Sequence, residues 1–246
     1  MGYQEDLAKL AQMFKSSKRA IVLTGAGIST ESGIPDFRSP GTGLWEKMDP
    51  MEEASRQAFA RNPVRFYQHG FAPFFMVLEA KPNPAHEVLA WMEKEGFIVG
   101  VITQNIDGLH QKAGSRNVRE VHGHMRSGTC TGCREVYPVS YILEEKNQGR
   151  APKCDCGSYI RPDVTLFGDP MPNDFWQSVQ EAQKCDLMLV VGSSLEVSPA
   201  NSLPQQVDRV AIINLGPTGY DRKADLVIRE KAGRTLLELK ELLQKG

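Results

Sequence analysis

Short apolar runs that pass directly into small or polar residues recur along the chain. Residues 20–23 lead into Thr24 and Gly25, 97–102 into Thr103 and Gln104, 187–191 into Gly192 and Ser193, and 210–213 into Asn214 and Leu215. Because helical patterns separate these runs, we predict an α/β fold with a doubly wound parallel sheet. Ligands bind such sheets outside the carboxyl ends of the strands, so we expect the polar tips to line one crevice.

Helical periodicity and capping residues predict the elements that cover this sheet. Residues 4–16 place apolar side chains on one helical face, and the pair Asn83-Pro84 is typical of a helix start. Residues 225–228 predict one more strand before a closing helix. The Pro and Gly residues between positions 39 and 63 predict a long irregular loop that closes over a ligand.

A glycine-rich turn, Gly25-Ala26-Gly27, follows the first predicted strand at once. Glycines let a backbone approach a ligand closely, and a helix that starts near Ile28 would direct its free N–H groups at a phosphate. Thr30 stands where a dinucleotide fingerprint has its third glycine, so an ordinary strand-to-helix turn is the alternative. The next loop adds a trio that such a turn does not need: Asp36, Phe37 and Arg38.

Four of the five cysteines crowd into residues 130–156. Cys130 and Cys133, followed by Cys154 and Cys156, approximate a paired-cysteine zinc pattern whose second pair is one residue short. Four thiolates close a tetrahedral shell around Zn²⁺, so we expect a structural metal. Buried cysteines without a metal are the alternative, and we assign that role to Cys185.

Length and charge exclude several function classes. The 246 residues are 41% hydrophobic and carry a formal net charge of −1, which gives no electrostatic footprint for nucleic acid or an anionic membrane. No apolar run approaches the ~20 residues of a membrane span, and clustered thiols are typical of a reducing compartment. We therefore expect a soluble cytoplasmic protein, and a monomer because no exposed apolar stripe stands out.

Taken together and in order, these motifs resemble those of the sirtuin family, the NAD-dependent protein lysine deacylases. The GAGIS and GIPDFR signatures correspond to residues 25–29 and 33–38, the TQNID segment to 103–107, the HG pair to His122-Gly123 and the GSS segment to 192–194. The resemblance covers about residues 20–215. It implies a Rossmann-like NAD-binding large domain, residues 1–123 and 162–246, with a small zinc-binding lobe inserted at 124–161.

The resemblance implies that NAD binds across the crevice as a co-substrate. The positions that it assigns to NAD are Gly25, Ala26, Gly27, Asp36, Phe37, Arg38, Gln104, Asn105, Ile106, Asp107, Gly192, Ser193, Ser194, Asn214 and Leu215. Phe37 would shield the reacting ribose from water. Asn105 and Asp107 would hold the nicotinamide amide and the ribose, although both residue types also favour plain turns.

His122 is the catalytic base that the resemblance implies, with Asn105 and Asp107 in the same catalytic set. From the residues alone, His124 competes for that role, and either histidine could be a zinc ligand. In the implied reaction the acyl oxygen of a modified lysine attacks the nicotinamide ribose and nicotinamide leaves. His122 then deprotonates a ribose hydroxyl, and lysine and O-acetyl-ADP-ribose result.

The resemblance also implies that an acetylated protein or peptide enters as an extended strand. The residues expected beside it are Val164, Phe167, Gly168, Asp169, Leu195, Glu196 and Val197. Sirtuins that remove acidic acyl groups share a Tyr-x-x-Arg pair. Here Tyr67 is followed by Gly70 at the arginine position, so we expect deacetylation and poor desuccinylation.

Other function classes stay open. A mono-ADP-ribosyltransferase or a plain NAD glycohydrolase would use the same nucleotide site, and a non-catalytic zinc-ribbon module would need the glycine turn only as structure. A redox NAD enzyme is disfavoured, because no Asp or Glu closes a second strand about twenty residues past the glycines.

Overall fold

The computed structural model describes residues 2–36, 41, 43 and 48–245. Its strands are β1 (Ala20–Thr24), β2 (Val101–Thr103), β3 (Val118–Glu120), β4 (Gly123–Cys130), β5 (Val136–Pro138), β6 (Ile160–Val164), β7 (Leu187–Val191), β8 (Arg209–Ile213) and β9 (Leu226–Ile228). Its α-helices are α1 (Tyr3–Ser16), α2 (Pro50–Glu53), α3 (Arg56–Arg61), α4 (Pro63–Arg65), α5 (Pro84–Lys94), α6 (Leu109–Lys112), α7 (Val139–Asn147), α8 (Asn173–Ala182) and α9 (Ala232–Gln244). Tighter 3-10 helices span Ala26–Ser32, Ala72–Leu78 and Ala200–Gln206, and a π-helical turn spans Phe66–Gly70. None of the helices over these ranges is both long and apolar enough to cross a membrane.

The large sheet of the described chain has six parallel strands in the order β3-β2-β1-β7-β8-β9. Every residue of β1 is buried, as a strand covered on both faces requires. One face packs against α1, α5 and α9, and the other packs against α8 and the 3-10 helix Ala200–Gln206. The chain changes direction across the sheet between β1 and β7, which opens a crevice at their carboxyl ends. The predicted doubly wound fold is confirmed.

The second strand is shorter than its apolar run predicts. β2 begins at Val101, because Gly100 adopts φ +156° and a Cβ at that position would lie 2.5 Å from the Asn117 carbonyl oxygen. Phe97 packs instead against Trp91 of α5, with ring centroids 5.5 Å apart. Phe97 therefore serves helix packing, whereas the Val99 amide still donates to the Ala20 carbonyl of β1 at 2.9 Å.

Residues 48–63 are mainly helical, although the Pro and Gly residues between positions 39 and 63 predict an irregular loop. Asp49 caps α2 by accepting a hydrogen bond from the Met51 amide at 2.8 Å, and Ser55 caps α3 through the Ala58 amide at 3.1 Å. Pro50 occupies the first helical position, where no N–H partner is needed. The Asp-Pro pair is thus a helix start here. Most of residues 39–47, which belong to the same predicted loop, lie outside the described residues.

A second, antiparallel sheet has the order β5-β4-β6. The fully buried Tyr67 donates its hydroxyl hydrogen to the Ile160 carbonyl of this sheet at 2.8 Å. Beside it, Phe71 stacks on Phe66 with ring centroids 5.0 Å apart. Phe59 packs edge-to-face with Phe66 at a centroid distance of 5.3 Å. This core draws on residues that precede the cysteines as well as on those around them, and the lobe boundaries 124–161 stay a prediction.

Asp186 ties the start of β7 to the segments beside it. Its carboxylate accepts hydrogen bonds from the Ser17 hydroxyl at 2.6 Å, the Arg19 amide at 2.9 Å and the Arg209 guanidinium at 2.9 Å. Burial by itself raises the pKa of Asp186, but these hydrogen bonds outweigh it and lower the pKa to about 2. The ionised carboxylate therefore stabilises the folded chain.

We expect Asp186→Asn to lower the free energy of unfolding by about 1–2 kcal/mol at pH 7, a range reduced for the partial exposure of the carboxylate. Because the folded pKa is depressed, this stabilisation is present above the unfolded pKa of about 3.9 and is lost as the pH falls towards 2. Urea unfolding from pH 7 downwards should show a constant gap to the wild type that narrows only below about pH 4.

The exposed neighbour Asp208→Asn is the matched control for this measurement. A gap for Asp186→Asn that does not exceed the control gap at pH 7 contradicts the stabilising role.

Candidate active site

Two adjoining cavities open at the carboxyl ends of β1, β2 and β7. The large cavity has a volume of about 800 Å³ and the small cavity a volume of about 270 Å³. Where they meet, both are lined by Ala26, Gln104, Asn105, His122 and Val197. The strand tips that were expected to converge do line one crevice, and its large part is within the roughly 300–1,000 Å³ of small-molecule sites.

The glycines after β1 bring two backbone turns into direct contact. The Gly27 amide donates to the Gly192 carbonyl at 2.8 Å, and the Gly25 amide donates to the Val191 carbonyl at 3.1 Å. Gly192 has φ +63°, and a Cβ there would lie 2.2 Å from the Ile28 nitrogen. The sequence suggested that the first amides of this turn face a phosphate. Those of Gly25 and Gly27 bind the turn after β7 instead, so these glycines serve close backbone approach.

The loop after β2 carries a buried amide and a buried carboxylate. Asn105 donates from Nδ2 to the Gly25 carbonyl at 3.2 Å and to Ser29 Oγ at 3.1 Å. Asp107 accepts from Ser29 Oγ at 2.8 Å and from the Leu109 amide at 2.9 Å. Burial raises the pKa of the Asp107 carboxyl, although these hydrogen bonds oppose the rise. Hydrogen bonds thus hold Asn105 where the two cavities meet and Asp107 at the wall of the small cavity.

Ser29 joins these two side chains, and sequence reasoning gave it no role. It is 1% exposed, and its hydroxyl lies between Asn105 and Asp107. The sequence held one signal for this role: Ser29 is the last residue of the GAGIS signature. Gln104, on the same loop, donates from Nε2 to Ser193 Oγ at 2.9 Å and so connects β2 with the turn after β7.

His122 lines both cavities, and its Nδ1 lies 2.9 Å from the Gln104 carbonyl oxygen. A carbonyl only accepts, so Nδ1 carries the proton and Nε2 is left with a lone pair. Burial lowers the pKa of His122, an effect that the hydrogen bond to Gln104 opposes in part. His122 is therefore neutral at pH 7, with a basic nitrogen for proton transfer. His124 is absent from the lining that the described residues form.

The remaining predicted nucleotide positions divide between the two cavities. Around the large cavity lie Gly25, Gly27, Asp36, Gly192, Ser193, Ser194, Asn214 and Leu215, whereas Ile106 and Asp107 line the small one. Phe37 and Arg38 lie outside the described residues. The large cavity also includes Glu230 and Lys231 at the start of α9, which sequence reasoning missed because they follow β9 as ordinary surface charges.

The small cavity is mainly apolar. Of the predicted substrate residues, Val164, Phe167, Gly168, Asp169 and Val197 line it, Glu196 lines the large cavity, and Leu195 is buried behind them with φ +55°. The Asp169 carboxylate pairs with Arg161 and accepts the Leu166 amide at 2.8 Å, so it fixes its own loop. Phe71, Phe74 and Val77 add apolar walls that sequence reasoning missed, although their run of aromatic residues was a signal.

The four clustered cysteines meet at one point of the second sheet. Their Sγ atoms all lie within 4.8 Å of one another, with Cys130 and Cys156 at 3.5 Å and Cys133 and Cys154 at 3.4 Å. A tetrahedral Zn²⁺ with bonds of about 2.3 Å sets its sulfurs about 3.8 Å apart, so this donor set fits zinc. The short C-x-C spacing of the second pair does not prevent the fit. Cys185 is buried elsewhere, as predicted.

The protein-family model that matches is that of the Sir2 family, over residues 25–199. Among curated proteins, the NAD-dependent protein deacetylase 2 of Caldanaerobacter subterraneus subsp. tengcongensis is 55% identical over 96% of this chain and 95% of its own length. The NAD-dependent protein deacylase 2 of Archaeoglobus fulgidus is 45% identical over 97% of this chain and 96% of its own length.

Solved structures agree with these matches. A structure from a study of the mechanism and regulation of Sir2 enzymes superposes with a TM-score of 0.89, at 44% identity and over 98% of this chain and 99% of that one. A Sir2 variant with a deacetylated p53 peptide and 3′-O-acetyl-ADP-ribose has a TM-score of 0.90 at 36% identity, and covers 98% of each chain. Sir2 structures with an acetylated peptide and with a p53 peptide and NAD⁺ are similar too.

We expect Cys133→Ser to lose bound zinc and to unfold the second sheet, because three thiolates and a hydroxyl no longer complete the tetrahedral shell. Metal analysis of the purified variant should give well under one zinc per chain, and its thermal unfolding should gain an early transition. Cys185→Ser, which alters a buried thiol outside the cluster, should keep its zinc. Full zinc occupancy and wild-type unfolding in Cys133→Ser would contradict the assignment.

Proposed function

This chain belongs to the Sir2 family, and from that premise we propose that it is an NAD-dependent protein lysine deacetylase. The reaction consumes NAD, acetyl-lysine and one water, and its products are lysine, nicotinamide and O-acetyl-ADP-ribose. One observation carries the proposal: a neutral histidine and a buried amide lie where a large cavity joins a small apolar one, and a buried carboxylate lines the small cavity beside them. Such a junction brings a nucleotide and an acyl-lysine to the same point.

NAD occupies the large cavity in this proposal, as a co-substrate. The diphosphate lies beside the contacting turns, where Gly25 and Gly192 line the cavity, while Asn214 and Leu215 lie towards the adenosine end. Asn105 and Asp107 orient the nicotinamide amide and the ribose, since their positions are fixed by Ser29. Asp36 lines the same cavity, and the roles of Phe37 and Arg38, which lie outside the described residues, stay predictions.

The acetyl-lysine side chain enters the small cavity, where Val164 and Phe167 surround its apolar stem. Its acyl oxygen then faces the ribose at the junction of the cavities and attacks it as nicotinamide leaves. His122 accepts the proton of a ribose hydroxyl at Nε2, while the Gln104 carbonyl holds Nδ1–H and stabilises the imidazolium that forms. The site needs no movement of His122 for this step, because the imidazole already lines both cavities.

The peptide backbone lies as an extended strand between Gly168 on one side and Val197 on the other. The pairing of Asp169 with Arg161 holds the first of these segments in place. Because backbone groups would carry most of the recognition, we expect a loose sequence preference. The four cysteines hold a structural zinc, and the lack of disulfides among the described residues supports a reducing, cytoplasmic compartment.

Two alternatives keep parts of this site. A mono-ADP-ribosyltransferase or NAD glycohydrolase would use the large cavity and would transfer ADP-ribose to an acceptor such as an arginine or to water. The small cavity beside His122 is apolar, which favours an acyl-lysine over either of these acceptors. A non-catalytic zinc-ribbon module would not need a neutral histidine at a cavity junction. The deacetylase is therefore the function that the geometry supports best.

We expect purified wild-type protein to release nicotinamide from NAD only when an acetyl-lysine peptide is present. One nicotinamide should form for each peptide that is deacetylated. His122→Ala should reduce deacetylation by a factor of about 10²–10⁴, the usual contribution of a general base. His124→Ala is the matched control and should retain most activity. Nicotinamide release without peptide would favour a glycohydrolase, and no release at all would overturn the deacetylase.

The acyl pocket should accept neutral groups and reject acidic ones. The Tyr67 hydroxyl already donates its hydrogen to the Ile160 carbonyl. Gly70 lies against the Glu53 backbone, and a Cβ at position 70 would be 2.2 Å from the Glu53 carbonyl oxygen. The described residues that line the small cavity include no arginine or lysine, so a succinyl carboxylate would be buried there without a cationic partner.

We therefore expect kcat/KM for a succinyl-lysine peptide to be at least about 10²-fold below that for the acetyl-lysine peptide, as a loss of about 3 kcal/mol implies. A propionyl-lysine peptide of the same sequence is the control for size and should stay within about tenfold of the acetyl peptide. Equal rates with succinyl and acetyl peptides would contradict this account of the pocket.

A further inference from the structure

Two histidines are buried beneath the site and take no part in the reaction described above. His86 lies in the first turn of α5 and His110 in α6, with exposures of 0% and 1%. Their ring centroids are 4.9 Å apart and their planes meet at 61°. Two imidazoles in contact inside a core are an unusual choice where apolar side chains would pack without polar demands.

His110 connects to the catalytic loop through two buried threonines. Its Nε2 lies 2.9 Å from Thr24 Oγ1, and Thr24 donates to Thr103 Oγ1 at 2.8 Å. Thr103 Oγ1 also accepts the backbone amide of Asn105 at 3.1 Å. The last residue of β1 and the last residue of β2 are therefore joined by side chains directly below the turn that carries Asn105.

A proton on Nε2 of His110 satisfies this chain, because Thr24 then accepts from Nε2–H and gives its own proton to Thr103, and Nδ1 of His110 is left as an acceptor. His86 accepts the Asn83 amide at Nδ1, at 3.3 Å, which leaves Nε2–H of His86 as a donor. These two remaining atoms, His86 Nε2 and His110 Nδ1, have no hydrogen-bond partner among the described residues.

The two rings touch without a hydrogen bond between them, and each keeps this pattern only while it is neutral. Burial lowers the pKa of His86 to about 4, and burial together with the neighbouring His86 lowers the pKa of His110 to about 3. The Asn83 side chain also donates to the Ile28 carbonyl at 2.7 Å, so the same segment supports the turn after β1.

A core built only for stability would avoid this arrangement, because polar atoms without partners in a low-dielectric interior are costly. What the arrangement provides is a defined orientation of each group. The contact with His110 fixes the hydroxyl of Thr24, Thr24 fixes the hydroxyl of Thr103, and Thr103 holds the Asn105 amide. Asn105 in turn holds Gly25 and Ser29, so its backbone position affects the whole junction of the cavities.

We propose that His86 and His110 are positioning residues for the reaction, which orient Asn105 through the hydroxyls of Thr24 and Thr103. His110 is the essential member because it contacts Thr24, and His86 supports it by packing against the His110 ring. The inference rests on the proposed function, since it concerns the residue that holds the nicotinamide end of NAD. Misplacement of a positioning group by about 1 Å can reduce rates by about 10²-fold, so the effect is measurable.

The test compares three replacements of His110. Gln can place its side-chain amide where Nε2 lies and still donate to Thr24, whereas Asn is one methylene shorter and Phe cannot donate at all. We expect His110→Phe and His110→Asn to lower kcat/KM for NAD by about 10- to 100-fold, and His110→Gln to stay within about threefold of the wild type. Affinity for the acetyl-lysine peptide alone should change less than about threefold in all three.

Thr24→Val gives a second route to the same link and keeps the shape of the side chain. It should reproduce the loss seen for His110→Phe, and the double variant should be no worse than the poorer single variant, because both changes break one chain of hydrogen bonds. Ser178→Ala, which removes a fully buried hydroxyl from α8 on the other face of the sheet, is the control for a general loss of buried polar groups.

Kinetic constants are expressed per folded enzyme, from unfolding curves of each variant, and NAD affinity is measured separately by calorimetry. A drop in melting temperature with unchanged kcat/KM and NAD affinity, equal behaviour of Asn and Gln at position 110, or additive effects of Thr24→Val and His110→Phe would each overturn the proposal. Failure of the wild type to deacetylate would count against the proposed function, whereas the NAD affinities of the variants would still decide the positioning role.

Discussion

The close approach of two backbone turns, one after β1 and one after β7, is the constraint on which the site depends. Their contact leaves no room for a side chain, since a Cβ on Gly192 would lie 2.2 Å from the Ile28 nitrogen. The contact brings the carbonyl of Gly25 within reach of Asn105 and sets Ser193 beside Gln104. The crevice at the switch of strand order therefore has a fixed floor before any ligand arrives.

On that floor, burial and hydrogen bonding together set the chemistry. His122 owes its basic Nε2 to the Gln104 carbonyl, and Asp107 owes its fixed position to Ser29 and to the amide of Leu109. In an interior of low effective dielectric, such fixed dipoles act more strongly than they would in water. The buried histidine pair extends the same principle one layer deeper, away from any contact with substrate.

Much of the fold could be predicted, because apolar runs buried on both faces and their polar ends are local patterns. Phe97 misled, since an apolar residue that packs on Trp91 looks the same in sequence as one that belongs to a strand. Asp49-Pro50 misled because a helix cap and a loop use the same residues. The described strand tips line one crevice, but Ser29, Phe71 and the histidine pair depend on contacts between distant segments, which periodicity does not encode.

The central claim is that the crevice joins the acyl oxygen of the substrate lysine to the ribose of NAD. The most direct measurement places ¹⁸O in the carbonyl of an acetyl-lysine peptide and follows the label by mass spectrometry after rapid quenching. The account predicts the label in the ADP-ribose part of the O-acetyl-ADP-ribose product. Label that stays in the acetyl group, or in free acetate, would contradict it and indicate a direct hydrolysis.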